Sequence, residues 1–365
     1  MASNEITTPE ALRHYLAAGK PLRGLRLQDV DLRDVMPDLL QIPDLNGTVV
    51  LGGVVPAKLL RHLRSAGALV FPTDPALPVD PYRSMLYDPR ELYAGITTGG
   101  YAATPDKQAY DWLLDPDLTH DAYTTMVRAI HDDAIADALD EQLNGARVVG
   151  VMGGHDELRS SNGYADAARL AQRLARTGVV VLTGGGPGAM EAAGLGASAT
   201  DEEALTTALV ELAVTPSYRD DVTAWAQSAL MVRERCTDTA GLARSIGVPT
   251  WFYGHEPPHV FCGGAAKFFS NALREDLLLT HCNAGIIVLP GAAGTVQEIF
   301  QTATRMYYAS PDTPLAPLIL VGHRQWTENV PVWDLLTTLS RDRPMAAVIH
   351  LVETTEQAAN LVSVR

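Results

Sequence analysis

The chain reads Gly285-Ile286-Ile287-Val288-Leu289 and then Pro290-Gly291-Ala292-Ala293-Gly294-Thr295-Val296-Gln297-Glu298. The apolar run predicts a buried strand, the small residues predict a loop, and the periodicity after Thr295 predicts a helix. Such a loop lets backbone N–H groups approach an anion, and the start of the following helix adds partial positive charge. The stretch therefore predicts a phosphate-binding site, with the Glu298 carboxylate one helical turn away.

Two further glycine-rich loops follow apolar runs in the same way. Gly153-Gly154-His155 comes after the run at 147–152, and Thr183-Gly184-Gly185-Gly186-Pro187-Gly188-Ala189-Met190-Glu191 comes after the run at 179–182. Continuous apolar strands that alternate with helices predict a parallel sheet covered on both faces. We therefore expect an α/β fold, a Rossmann-like doubly wound parallel sheet with the three loops in one crevice at the carboxyl ends of its strands.

The same alternation predicts the other elements of this domain. Further strands are expected at 248–253, 317–321 and 348–352, and helices are expected at 163–176, 192–199, 202–213, 237–245, 265–279, 295–307, 332–339 and 356–361. Thr200 and Glu203 have the spacing of a capping box at the start of one of these helices.

The first part of the chain has a different character. A helix at 57–65 lies between predicted strands at 48–51 and 68–71, and the stretch 72–105, rich in Pro, Asp and Tyr, has weak periodicity. We expect residues 1–120 to form a small N-terminal α/β accessory domain that ends in a long irregular connection, with a role that the sequence does not reveal. A long helix at 121–143 then begins the Rossmann-like domain, 121–365.

The composition of the chain argues against some classes of function. The chain has 365 residues, 47% hydrophobic and 19% charged, with a formal net charge of −15. These values are typical of a globular protein of two domains, and the negative charge argues against a general nucleic-acid binder, which needs a basic face. No apolar run approaches the ~18 residues of a membrane-spanning helix, and the N-terminus lacks the pattern of a signal peptide. We expect a cytoplasmic protein that binds neither nucleic acid nor membrane.

The cysteines and histidines of the sequence do not indicate a metal site or redox chemistry. Cys236, Cys262 and Cys282 are widely spaced and form no C-x-x-C pair, so they indicate neither a zinc site nor a disulfide framework. The stretch His255-Glu256-Pro257-Pro258-His259 places two histidines four residues apart, but its prolines exclude the helix that a zinc H-E-x-x-H site needs. We expect no metal and no cofactor.

Two glycine-loop features also have alternative interpretations. Thr295 and Glu298 have the Thr-x-x-Glu spacing of a capping box, which would stabilise a helix start without any function. The glycine loop before Thr295 favours a functional role. Gly184-x-Gly186-x-x-Ala189 matches the dinucleotide fingerprint poorly, since no acidic residue follows the next strand at the expected place. We therefore favour a helix start that faces a phosphate or ribose.

These motifs resemble a known family. Pro290-Gly291-Ala292-Ala293-Gly294-Thr295-x-x-Glu298 resembles the P-G-G-x-G-T-x-x-E signature of the Lonely Guy family of nucleoside 5′-monophosphate phosphoribohydrolases, and the loop at Gly184–Glu191 looks like that family's other glycine loop. Within this superfamily, Gly153-Gly154-His155 is most similar to bacterial pyrimidine/purine-nucleotide 5′-monophosphate nucleosidases. The resemblance covers about residues 147–308.

The resemblance implies hydrolysis of the N-glycosidic bond of a nucleoside 5′-monophosphate, with release of a free base and ribose 5-phosphate. It implies a catalytic arginine on the helix before the signature strand, to which Arg274 corresponds, and a homo-oligomer, either a dimer or a higher even number. Because cleavage builds positive charge on the ribose, a carboxylate is needed beside C1′, and Glu298 is the candidate. The residues expected to bind substrate and phosphate are Gly153, Gly154, His155, Gly185, Gly186, Gly188, Met190, Asn271, Gly291, Ala293, Gly294 and Thr295.

Some points depart from the family pattern or stay open. Ala292 stands where the signature has glycine, and Arg274 lies sixteen residues before Pro290 rather than fifteen. Arg274 could also belong to an exposed Arg-Glu-Asp run. His155 suits a solvated loop as well as a ligand contact, and Asn271 suits helix packing as well as substrate binding.

Three other functions compete with hydrolysis. A nucleotide sensor on the same fold would bind without turnover and would need no carboxylate at C1′. A lysine-dependent decarboxylase would need a Schiff-base lysine, for which Lys267 is the candidate. Binding of single-stranded DNA is disfavoured by the net charge of −15.

Overall fold

The structure is a computed structural model that describes residues 4–253, 256–310 and 312–363. The chain divides into two compact units. The smaller unit contains the chain up to Met85 together with His120–Ala138, and the larger unit contains Leu86–Thr119 and the chain from Leu139 onward. Each unit is built around a parallel sheet of its own.

The smaller unit is an α/β unit, as expected for the N-terminal segment. Its four-stranded parallel sheet has the order β1-β2-β3-β4. The elements are β1 (Glu5–Ile6), α1 (Pro9–Ala17), β2 (Arg26–Gln28), α2 (Met36–Leu39), β3 (Val49–Leu51), α3 (Ala57–Ser65) and β4 (Leu69–Phe71). Leucines that include Leu12, Leu27 and Leu59 form its core.

The stretch 72–105, expected to be irregular, contains two short helices, and a third begins at its last residue. They are α4 (Pro89–Leu92), α5 (Ile96–Gly99) and α6 (Pro105–Leu114), and the long helix α7 (Ala122–Leu143) follows them. Asp88 and Thr104 accept hydrogen bonds from backbone N–H groups at the starts of α4 and α6. These N-caps stabilise the helix starts, although the sequence has weak periodicity. Residues 86–119 group with the larger unit, so the contacts divide the chain differently from a boundary near residue 120.

The larger unit confirms the Rossmann-like fold. Its seven strands are parallel and have the order β11-β10-β9-β5-β6-β7-β8. They are β5 (Val148–Met152), β6 (Val180–Thr183), β7 (Ser245–Gly247), β8 (Gly264–Ala265), β9 (Gly285–Val288), β10 (Leu318–Val321) and β11 (Ile349–Val352). The chain builds the sheet outward in opposite directions from β5 and β9. The topological switch point therefore lies between the neighbouring strands β5 and β9. In such folds, ligands bind outside the carboxyl ends of the strands at this point.

Helices cover this sheet. They are α8 (Asn162–Ala175), α9 (Ala189–Ser198), α10 (Glu202–Leu212), α11 (Val222–Cys236), α12 (Thr239–Leu242), α13 (Asn271–His281), α14 (Ala293–Tyr308), α15 (Trp333–Ser340) and α16 (Thr355–Ser363). Small residues let α8 and α9 approach closely: a Cβ atom at Gly196 would lie 1.8 Å from the carbonyl oxygen of Ala168.

Several predicted elements were wrong in position. The strand expected at 248–253 lies earlier and ends at Gly247, because Pro249 has no N–H to donate to a ladder. The helix expected from 265 begins at Asn271, where the Ser270 hydroxyl accepts the N–H of Leu273. The helix expected at 237–245 is only the short α12, and the amphipathic pattern that forms α11 was missed.

The cap predicted at Thr200 was also wrong. Asp201 is the N-cap of α10, and its carboxylate accepts the backbone N–H of Ala204 at 2.8 Å. Both residues are good N-caps, and the shift of one residue follows from where α10 begins.

Candidate active site

Three glycine loops meet at the carboxyl ends of β5, β6 and β9, as the sequence predicts. We call residues 153–155 the first loop, 184–188 the second loop and 290–294 the third loop. The backbone N–H of Gly154 donates to Pro290 O at 3.0 Å, and Gly154 O accepts the N–H of Ala189 at 3.0 Å. The first loop is thus hydrogen-bonded to the third loop on one side and to the helix after the second loop on the other.

Close backbone approach requires glycine at two positions of the second loop. Gly188 has φ +70°, and a Cβ atom there would lie 2.5 Å from Gly154 O. Gly185 has φ +74°, and a Cβ atom there would lie 2.5 Å from Pro249 Cδ. Residues with a side chain rarely adopt positive φ, so both positions need glycine for conformation as well as for space.

Met190 covers the second loop. Cβ atoms at Gly184 and Gly186 would lie 2.8 Å from the Met190 sulfur and 2.9 Å from its methyl carbon. The side chain is partly exposed. Met190 therefore forms a flexible apolar surface beside the crevice, where a base or a sugar could rest.

The start of α14 is open, and no side chain caps it. Its N-cap is Ala292, and Thr295 is the third residue inside the helix, so the capping-box interpretation of Thr295 and Glu298 was wrong. Thr295 is buried, and a Cβ atom at Gly291 would lie 2.1 Å from its hydroxyl oxygen. Ala293 and Gly294 are exposed. Among the described atoms, nothing lies within 4 Å of the place where a Gly294 side chain would project.

Ala292 is accommodated where the Lonely Guy signature has glycine. Its φ is −115°, an ordinary value for a residue with a side chain, and its methyl group is exposed. The third loop therefore keeps its shape without a glycine at this position.

Glu298 lies in the second turn of α14 and is partly exposed. Burial raises the pKa of its carboxyl group to about 7, and the carboxylates of Glu275 and Glu256 raise it further. The Arg274 guanidinium acts in the opposite direction and favours the ionised form. A carboxyl group that titrates near neutrality beside an open helix start is suited to proton transfer.

Arg274 points into the crevice. The side chain is buried, and its Nη1 atom would lie 3.6 Å from a Cβ atom at Gly184 in the second loop. The interpretation of an exposed Arg-Glu-Asp run was wrong, because Glu275 is buried as well and only Asp276 is exposed. Within the described part of the chain, Arg274 Nε and Asn271 Oδ1 are buried without a hydrogen-bond partner. Both atoms are therefore available to a ligand.

His155 is held by a charged network. Its Nδ1 lies 3.0 Å from Glu256 Oε1, and its Nε2 lies 3.4 Å from Asp156 Oδ2 and 3.3 Å from Arg219 Nη2. The hydrogen bond with Glu256 raises the pKa of His155, and burial opposes this. The imidazole is half-buried in the network rather than solvated on a loop.

Glu256 and the pair Arg159–Glu191 were missed as contributors to the site. Arg159, just after the first loop, forms a buried bidentate ion pair with Glu191 in α9, with distances of 2.6 and 2.9 Å. This pair fixes the start of α9 relative to the first loop. Glu256 could have been predicted from its position in the sequence. It follows β7, which is the neighbour of β6 in the sheet, and the second loop follows β6.

His259 supports the second loop. It is buried, its Nε2 lies 3.2 Å from the Thr183 hydroxyl, and its backbone N–H donates to Gly185 O at 2.9 Å. Burial lowers the pKa of His259 to about 3, so the ring is neutral. His255 lies outside the described residues, and among those described no cluster of His, Cys, Asp and Glu is arranged to hold a metal ion.

Lys267, the candidate for a Schiff-base lysine, lies before the start of α13. Its ammonium group forms a buried ion pair with Asp106. Trp251 Nε1 and the Tyr101 hydroxyl donate to the same carboxylate at 2.9 and 2.8 Å. A buried lysine with this partner is not placed to form a Schiff base with a substrate.

The segment with the first and second loops is similar to a known family. Residues 146–210 match the model of the SLOG cluster4 family. This match confirms the resemblance to the LOG-like superfamily across those two loops, while the third loop lies beyond the matched residues. Together with the seven-stranded sheet, it supports a nucleotide-related Rossmann-like protein.

Two solved structures are similar to the chain. The first is the molybdenum cofactor binding protein from the phototrophic bacterium Rippkaea orientalis, with 18% identity over 60% of this chain and 98% of that chain and a TM-score of 0.36. The second is the X-ray structure of TM1055, a target of the Northeast Structural Genomics Consortium, with 18% identity over 60% and 99% and a TM-score of 0.38. No curated protein matches the chain.

In the described residues, no helix combines the length and the apolar character needed to cross a membrane.

Proposed function

We propose that the protein hydrolyses the N-glycosidic bond of nucleoside 5′-monophosphates and releases a free base and ribose 5-phosphate. The observation that carries this proposal is the position of the Glu298 carboxyl group, one turn inside a helix whose first residues are exposed and uncapped. Its raised pKa supports the same role. A phosphate at the helix start would hold the ribose against this carboxyl group, which lowers the orientational cost of the reaction.

Each part of the crevice has a role in this proposal. The backbone of Gly291, Ala293 and Gly294 and the Thr295 side chain bind the 5′-phosphate. Residues of the first and second loops, with Met190 and Asn271, contact the ribose and the base; they are Gly153, Gly154, His155, Gly185, Gly186 and Gly188. Arg274 binds the nucleotide and keeps a fraction of Glu298 ionised.

Glu298 supplies the chemistry. As the C1′–N bond lengthens, positive charge develops on the ribose, and an adjacent carboxylate stabilises it. The same carboxylate accepts a proton from the water that attacks C1′. A base with a pKa of about 7 is well matched to this transfer near neutral pH.

The test is the release of free base from AMP, GMP, CMP and UMP by the purified protein. We expect turnover of at least one nucleotide and a fall in kcat of about 10²–10⁴-fold in Glu298→Gln. Circular dichroism would verify that the variant is folded. Absence of base release from all four nucleotides and from N6-modified AMP would overturn the proposal. Tight nucleotide binding without turnover would favour the sensor.

A further inference from the structure

The pair His155–Glu256 is the strongest feature of the crevice that the proposed hydrolysis leaves without a chemical task. The carboxylate of Glu256 is largely buried, and the imidazole of His155 is about one-third exposed, with 3.0 Å between Oε1 and Nδ1. The exposed part of the ring can therefore meet a ligand, although both nitrogens have charged partners, Glu256 at Nδ1 and Asp156 with Arg219 at Nε2.

The sheet order places this pair on one side of the crevice. The strands follow one another as β9, β5, β6 and β7, and the third loop, which would take the phosphate, follows β9. His155 follows β5, and Glu256 comes from the segment after β7. The second carboxylate oxygen of Glu256 would lie 3.5 Å from a Cβ atom at Gly186 in the second loop. Glu256 thus borders the second loop at Gly186, where the Met190 methyl carbon also approaches, and this is where the base of a bound nucleotide is proposed to lie.

The same pair is electrostatically linked to the reacting carboxyl group. Glu256 is one of the two carboxylates that raise the pKa of Glu298. In the proposed complex, a ribose beside Glu298 carries its base toward the second loop, which Glu256 borders at Gly186.

We propose that His155 is the acid that protonates the departing nucleobase and that Glu256 is the residue that positions it. This inference rests on the proposed hydrolysis. Water attacks C1′, and its proton passes to Glu298. The C1′–N bond breaks and its electron pair stays on the base, which accepts a proton from His155. Glu298 then returns a proton to His155, so that one nucleotide and one water yield one base and one ribose 5-phosphate.

The charged groups around His155 fit an acid that gives up its proton outward. Glu256 holds the Nδ1 side and raises the pKa of the imidazole, as does Asp156 on the Nε2 side, whereas Arg219 lowers it. Nδ1 is held by the largely buried Glu256, whereas the partners of Nε2, Asp156 and Arg219, are exposed and can give way to a base, so Nε2 is the atom that delivers the proton. Arg219 is itself bound to Asp156, which limits its opposition.

The test compares two substrates in wild type and in His155→Gln. The base of GMP needs a proton to leave, whereas the base of 7-methyl-GMP is already cationic and leaves as a neutral molecule. We expect kcat/KM to fall by about 10²-fold or more with GMP and by less than about 3-fold with 7-methyl-GMP. His62→Gln, which removes a half-buried histidine of the smaller unit, is the matched control with no selective effect.

A second measurement is the pH dependence of kcat/KM with whichever nucleotide is cleaved. In wild type, kcat/KM should rise with pH as Glu298 loses its proton and fall at higher pH as His155 loses its proton. In His155→Gln the fall at higher pH should disappear, while the rise that depends on Glu298 remains. In Glu256→Gln both limbs should move to lower pH, because Glu256 raises the pKa of His155 and of Glu298.

The outcomes separate the two proposals. Equal losses on GMP and 7-methyl-GMP, or an unchanged falling limb in His155→Gln, would overturn the role of His155 and leave the hydrolase proposal intact. A wild-type protein that cleaves no nucleotide would overturn both.

Discussion

Glu298, the proposed catalytic residue, carries an energetic cost. Burial disfavours its charged form, and the nearby carboxylates of Glu275 and Glu256 add to this. A group with a raised pKa in the folded state binds its proton more tightly there than in the unfolded chain. Its contribution to stability is therefore full below pH 4.5 and is lost as the pH rises through about 7.

The first prediction concerns Glu298→Gln, which imitates the protonated carboxyl group at every pH. At pH 8 the variant should be more stable than wild type by up to about 3 kcal/mol, because it avoids the buried charge. At pH 4.5 the difference should be small. Urea unfolding at both pH values measures it, and Glu141→Gln, at an exposed carboxylate in α7, is the matched control. A gain of the same size at both pH values would contradict the burial of this charge.

At the scale of elements, α9 and α14 use glycine for opposite purposes. Gly196 in α9 lets the backbone of α8 pass at contact distance, so it serves the core. Gly294 in the first turn of α14 has no described atom near its missing side chain, so it leaves space for a ligand. The same substitution at the two sites should therefore have different consequences.

The second prediction compares the stability of Gly196→Ala and Gly294→Ala. Alanine is favoured over glycine inside a helix by about 1 kcal/mol, and Gly294→Ala should show part of this gain. Gly196→Ala should instead lose about 2 kcal/mol or more, because a Cβ atom 1.8 Å from Ala168 O forces α8 and α9 apart. Urea unfolding measures both. A gain in stability in Gly196→Ala would contradict the packing described.

The third prediction concerns binding in Gly294→Ala. The added methyl group would project where the 5′-phosphate is proposed to lie, so KM for the nucleotide should rise about 10-fold or more while the fold is retained. Inhibition by ribose 5-phosphate should weaken in parallel. Ala292→Gly, at the exposed neighbour, is the matched control, and an unchanged KM in Gly294→Ala would place the phosphate elsewhere.

At the scale of the whole molecule, residues 86–119 are part of the larger unit rather than a linker. They supply Asp106, whose carboxylate is buried against Lys267 and receives hydrogen bonds from Trp251 and Tyr101. A buried ion pair that loses one partner leaves an uncompensated charge, which costs about 3–5 kcal/mol. The nucleotide-binding domain proposed for residues 121–365 is thus stabilised by a segment that precedes it.

The fourth prediction concerns Asp106→Asn in the full chain and a fragment of residues 121–365. The substitution should lower the free energy of unfolding by about 3–5 kcal/mol, and the fragment should bind a hydrophobic dye and lack a cooperative urea transition. Asp111→Asn removes the exposed partner of Lys107 and should cost less than about 1 kcal/mol. A stable, cooperatively folding fragment would show that Asp106 is dispensable.

The assembly of the chain stays a prediction at this scale. A dimer or a higher even oligomer is expected from the family resemblance, and analytical ultracentrifugation measures it. The expected absence of nucleic-acid binding is tested with single-stranded DNA at physiological salt, since a net charge of −15 repels a phosphate backbone.

The sequence alone determined the parallel sheet and its three glycine loops. These features depend on local patterns: apolar runs at Val148–Met152 and Gly285–Val288, each followed by small residues and a helix, have few other ways to fold. Glu298 and Thr295 were proposed as site residues in the same way, because their spacing after the loop is a property of the chain itself. The start of α13 was misjudged because the apolar residues before Ser270 suit a buried extended segment as well as a helix.

Only the tertiary structure decided which charged groups are partners. His155 and Glu256 are about one hundred residues apart, and Asp106 and Lys267 are 161 residues apart. No local periodicity connects such pairs, because their energies come from burial and from a low dielectric environment that exist only once the chain has folded. For the same reason the raised pKa of Glu298 is a property of the fold, although the residue could be named from the sequence.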